Sequence, residues 1–201
     1  MSLKKRVEAV GEGLLDIDQR SEKLFKPLAG TGPIRALDWF SKIADQPELR
    51  TIAGGLILAG IFADSDRMVR AGSRMMIAHE LATVVKGGIK LNVDRTRPRS
   101  ATSKQAKKPR RGNHKEKELS SFPSGHSAGA IAAARAFSRE YPEYSAIALG
   151  AAGLAALSQI PRCAHYPTDV AAGLAIGLVA EEAVHAAWAA GGMDEQSEST
   201  A

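Results

Sequence analysis

The chain has 201 residues, 44% of them hydrophobic and 24% charged, with 27 Lys and Arg against 22 Asp and Glu. That length and apolar content suit one domain with a real core and exclude a chain disordered throughout. The single Cys163 excludes an intramolecular disulfide framework, and an aromatic content of 5% leaves little for a base-stacking nucleic-acid surface.

The N-terminal residues are basic but run into Val7, Glu8 and Glu12 rather than an apolar stretch, so no secretory signal peptide is expected. Over residues 3–29, apolar positions recur at helical spacing (Val7, Val10, Leu14, Ile17, Leu24, Leu28), which makes residues 1–46 an N-terminal amphipathic helical region. Gly30 to Pro33 interrupts it, and a helix restarts over 34–44. Residues 47–190 read as a helical bundle. It comprises an uncharged run over 51–63, a long stretch over 68–91 that carries Arg70, Arg74, His79, Glu80 and Lys86, and Ala-rich helices over 124–139, 144–161 and 168–190. No segment alternates with period two. The predicted fold is therefore all-α, a bundle of about six main helices, and residues 191–201 read as a disordered acidic tail.

The charge is unevenly placed. Residues 95–117 hold ten Lys or Arg and one acid, Glu116, so the remainder of the chain is mildly acidic. Residues 95–121 are a basic loop whose middle is read as solvated, with Arg95 and Arg99 as solvent- or phosphate-facing charges, suited to anionic lipid headgroups in preference to nucleic acid. Residues 144–161 carry no charge over eighteen positions, the lower edge for a membrane-spanning helix. Glu181, Glu182 and His185 in the last helix would be costly in hydrocarbon away from an interface. Periodicity alone leaves a membrane-embedded and a soluble bundle both open.

Three short motifs stand at the ends of these elements. In the first, Lys90 closes a helix, and Arg97 lies just beyond it, held out of helix by Pro98. In the second, Pro123-Ser124-Gly125-His126, Ser124 is a natural N-cap, so the amides of Gly125 and His126 form an anion cradle. In the third, running from Ser158 to Asp169, Pro167 suits a first helical position and sets His165 and Asp169 at a helix start. A phosphoryl group in transfer spreads negative charge over three oxygens, so convergent cations and amides fit that chemistry. A neutral imidazole whose other nitrogen is held by a carboxylate serves as a nucleophile.

The set resembles the type 2 phosphatidic acid phosphatase superfamily, which includes bacterial acid phosphatases and vanadium haloperoxidases. Its signature, K-x6-R-P, then P-S-G-H, then S-R-x5-H-x3-D, is matched by Lys90, Arg97 and Pro98, by residues 123–126 in full, and by Ser158, His165 and Asp169. One position departs: Gln159 stands where the family has an arginine that holds phosphate oxygens. Gln159 donates hydrogen bonds without charge, and Arg162 is the candidate to supply the missing guanidinium.

The resemblance implies that His165, oriented by Asp169, is the nucleophile that forms a phosphohistidine, and that His126 protonates the leaving group. Lys90, Arg97, Ser124, Gly125 and Arg162 would hold the phosphate, with no metal and no cofactor. It implies a phosphatase acting on a lipid phosphomonoester or polyprenyl pyrophosphate. The alternatives are a non-catalytic lipid-headgroup binder of the same fold or a vanadate-dependent haloperoxidase. The partners expected are a lipid substrate and the membrane, not nucleic acid. The bundle would be multi-pass in the cell membrane, its three motifs on one side with the basic segment, and the positive-inside rule turns that side to the cytoplasm.

Overall fold

The computed structural model describes residues 2–103, 108–113 and 116–191. The described residues form seven α-helices: α1 (Leu3–Phe25), α2 (Gly32–Ser41), α3 (Gln46–Phe62), α4 (Asp66–Lys90), α5 (Gly125–Glu140), α6 (Ser145–Ser158) and α7 (Pro167–Ala190). The fold is all-α. Its short strands, β1 (Val93–Asp94) and β2 (Arg110–Arg111), pair antiparallel within the α4–α5 connection. The expected acidic tail lies, from residue 192 on, outside the described residues.

α5 is the central helix, packed by α4, α6 and α7. Its sequence explains this. Ser127, Ala128, Gly129, Ala130, Ala132, Ala133 and Ala136 are all buried, so small residues cover nearly its whole circumference and neighbours approach closely. α7 reciprocates with Gly173 and Gly177, where a Cβ would run into the carbonyl oxygens of Ser124 and Ala128. The core that results is mostly alanine, with Met75 and Val184 its larger buried members.

α6 differs from the sequence expectation. The uncharged stretch 144–161 resolves into the 3-10 turn Pro142–Tyr144, a helix of 14 residues and a tight turn. At 1.5 Å per residue that helix is about 21 Å long, short of a bilayer's hydrocarbon core. Only α7, among the described helices, is long and apolar enough to cross a membrane.

The two ends of the bundle differ in chemistry. One gathers the three motifs. The other is tied by ion pairs: Arg74 to Glu140 at 2.6 Å, and Glu181 to Arg139 at 3.1 Å and Arg135 at 3.2 Å. α1 lies against the motif end, touching α7. Its apolar stripe (Leu3, Val10, Leu14, Ile17, Leu24) faces outward and is exposed, while Asp18 and Glu22 on its inner side are buried.

Candidate active site

The connection from α4 to α5 folds over the motif end. The ends of the basic segment 95–121 are tied down, because the backbone there is paired. Arg95 N donates to Leu119 O at 2.7 Å, Arg97 N to Glu118 O at 2.8 Å, and Ser121 N to Arg95 O at 3.0 Å. Residues 104–107 and 114–115 of that segment lie outside the described residues. The turn after α6 is equally tight. Gln159 O accepts from Ala164 N and His165 N, and Cys163 adopts φ +50°, a left-handed conformation unusual for a side-chain-bearing residue.

Between these segments lies a cleft of about 540 Å³ whose wall includes Lys86, Lys90, Arg97, Gly125, His126 and His165. Residues from all three motifs therefore meet on one surface. Lys90 Nζ donates to Ser120 O, and Arg97 Nε donates to Lys117 O at 2.9 Å, so backbone carbonyls aim both cations.

His165 is 2% exposed. Its Nδ1 lies 2.6 Å from Ser121 O, an acceptor only, so Nδ1 carries the proton and Nε2 keeps its lone pair. The carboxylate of Asp169 is 3.8 Å from Nδ1, beyond hydrogen-bond reach. The direct His165–Asp169 bond expected from the motif is thus replaced by one through Ser121. Its hydroxyl donates to Asp169 Oδ2 at 2.6 Å while its carbonyl takes the imidazole proton. The reason is competition: Asp169 already accepts from Tyr166 N at 2.9 Å and pairs with Arg95 at 2.5 Å. Burial pushes the His165 imidazole down to about 4.

His126, second residue of α5, points its Nε2 at Asp45 Oδ1, 2.5 Å away, on the N-cap of α3. Burial holds it below its ordinary 6.5, Asp45 opposes that, and Arg162, Arg97 and Lys86 act with burial. Lys90 is lowered to about 8, by burial first and then by Arg97 and Lys86 nearby.

Two expected phosphate ligands are placed otherwise. Ser124 is fully buried, its Oγ accepting from Ser127 Oγ at 2.8 Å; it caps α5 and does not reach the cleft wall. Arg162 turns to α2, donating through Nε to Asp38 Oδ1 at 2.6 Å, to Ser41 Oγ, and to Gln159 Oε1 at 3.1 Å. The negative charge of Asp38 draws it away from the cleft, so the expected replacement for the family arginine is not made in this geometry. Gln159 is buried, its amide donating to Ala155 O at 3.2 Å.

Beneath the site lies a buried ionic centre that the motifs do not announce. Arg95 contacts Asp169 Oδ1 and Asp18 Oδ2, each at 2.5 Å, and stacks over the Tyr166 ring at 4.1 Å. Asp18 also accepts from Thr168 N at 3.1 Å and Thr168 Oγ1 at 2.6 Å, completing the first turn of α7 from a helix 150 positions upstream. Asp18, Asp45, Arg95, Lys86 and Lys117 are the polar residues that motif reading missed. Asp18 carries no sequence signal of its own, since it sits one helical turn after Leu14 at the edge of the apolar stripe.

The family model of the PAP2 superfamily matches residues 73–190. The chain belongs to the PAP2 superfamily. No curated protein and no solved structure matches it. PAP2 membership places the chain among phosphatase-type and haloperoxidase-like proteins, and every motif residue described above falls within the matched stretch. Asp18, Asp38 and Asp45 lie before it, so three carboxylates that pair with site residues are supplied from outside the PAP2 region.

Proposed function

We propose that the protein is a metal-independent phosphatase that hydrolyses a lipid phosphomonoester or polyprenyl diphosphate through a phosphohistidine. The supporting observation is that a cationic cleft holding two imidazoles adjoins an apolar groove. Ala44 lines both, and the groove, about 340 Å³, continues past Leu49 and Ile52 between α3, α5 and α6. A charged head and an apolar tail have a place each. Exposed Leu58, Phe62, Leu154, Leu157 and Val179 around the bundle, with α7 as a crossing helix, support a seat in a membrane. On the same reading, the exposed Arg110 and Arg111 of the α4–α5 connection turn the motif end to the cytoplasm.

In the first step the Nε2 lone pair of His165 attacks phosphorus, and the bond to the leaving oxygen breaks as His126 gives that oxygen its proton. Lys90, Arg97 and the α5 amides hold the oxygens on which charge gathers. In the second step His126 takes a proton from water, the hydroxide oxygen bonds to phosphorus, and the N–P bond breaks to release phosphate and neutral His165.

Phosphate release from phosphatidate and from a prenyl diphosphate in mixed micelles tests the reading. Turnover of either, unchanged by a chelator, is expected; no release from any phosphorylated lipid would refute it. The pH profile is a second expected result. His165 must be neutral and His126 protonated, so kcat/KM rises as pH increases through about 4 and falls again as pH increases further and His126, held below its ordinary value by burial, loses its proton. A plateau extending to pH 8 would remove His126 from the acid role.

A further inference from the structure

We propose that Lys86 is an anion-binding residue of this cleft, its ammonium donating to a phosphoryl oxygen beside Gly125 and His126. This rests on the reading that the cleft takes a phosphoryl group. Lys86 stands one helical turn before Lys90 on α4, so both side chains leave the same face, and both line the cleft. Its Nζ lies 2.7 Å from where a Cβ on Gly125 would stand, which sets it against the first residue of α5. Ser124 Oγ takes the Ser127 amide, while among the described residues the Gly125 and His126 amides have no partner, and they carry the positive end of the helix dipole.

Lys86 is half-buried, and among the described residues no hydrogen bond or ion pair engages its ammonium. The nearest acids do not neutralise it. Asp45 is committed to His126 at 2.5 Å, and Glu80 to Arg50 at 2.5 Å. Lys90 and Arg97, by contrast, each reach a backbone carbonyl. Lys86, Lys90, Arg97 and Lys117 thus line one cavity with a helix N-terminus, against the two carboxylates of Asp45 and Glu48, and the cationic excess is one that an anion in the cleft relieves. Because Arg162 is held on α2 by Asp38, Lys86 is the ammonium placed to take the oxygen that Lys90 and Arg97 leave over.

The test uses the full chain and inorganic phosphate, measuring its dissociation constant by calorimetry alongside phosphate release. K86Q is expected to weaken phosphate binding about 10- to 100-fold, the scale of a lost charge-assisted hydrogen bond, and K86R to restore most of it. G125A, whose methyl pushes the ammonium aside, is expected to weaken binding in the same direction, which keeps the test available should K86Q fold poorly. Unchanged phosphate affinity in K86Q would overturn the proposal while wild-type turnover kept the phosphatase reading intact. If instead the K86Q effect vanishes in a D45N background, Lys86 acts through Asp45 and the proposal also fails. A wild-type protein that neither binds phosphate nor releases it would remove both readings.

Discussion

Replacing His165 by asparagine is expected to abolish phosphate release, lowering kcat about 10⁴-fold or more, while phosphate affinity changes only a few-fold. Asparagine keeps a side-chain donor near Ser121 O, which His165 Nδ1 now contacts at 2.6 Å, but presents no imidazole nitrogen to phosphorus. The cations that hold the anion are on other segments, so binding and chemistry separate. The complementary variant, H126N, leaves the nucleophile and removes the proton carrier, and a fall of about 10² to 10⁴-fold is expected. With a diphosphate substrate, whose leaving group needs less help, H126N should accumulate a phosphoprotein that survives alkali and is lost in acid. H165N should show none. Retention of wild-type turnover by H165N would end the phosphohistidine mechanism.

The second large effect is on stability. Arg95 is 2% exposed, between Asp18 at 1% and Asp169 at 0%. Replacing Arg95 by methionine leaves two carboxylates facing each other without their cation, and breaking a buried pair in this way costs about 3 to 5 kcal/mol. Against a total stability of about 5 to 15 kcal/mol, that is enough to lower the thermal midpoint sharply and the folded yield with it. Lysine is expected to rescue only in part. Arg95 reaches Asp169 and Thr168 with one nitrogen and Asp18 with the other, which a single ammonium cannot reproduce while keeping the stack on Tyr166. Thermal unfolding of wild type, R95M and R95K in one detergent measures this. Equal midpoints for all three would show that the centre carries no stability.

What was legible in the sequence, and what was not, follows from range. Lys90, Arg97, Gly125, His126 and His165 were readable because each sits at a helix end that local rules fix: Pro98 and Pro167 bound their elements, and Ser124 caps α5. Their meeting in one cleft follows from α4, α5 and α7 packing side by side. Within the α4–α5 connection it is Arg95 that departs from expectation: its polar neighbours suggest a solvent-facing charge, yet it is among the most buried large side chains. Nothing local says that a guanidinium will meet carboxylates from residues 18 and 169. Arg162 fails for the same reason in reverse. Its spacing from Ser158 suits the cleft, but Asp38 on α2 engages it. The expected His165–Asp169 contact was right about neighbourhood and wrong about the bond, since Ser121 lies between them.

Asp18 gives the amphipathic arm an influence that its sparse packing would not suggest. Lifting α1 from the bundle withdraws one oxygen from Arg95 and the partner of two donors of Thr168, so the arm and the motif end share a hinge pin. A chain trimmed to residues 73–190, or that stretch grafted onto a foreign anchor, would carry both imidazoles but lack the carboxylate that Arg95 and Thr168 share with α1.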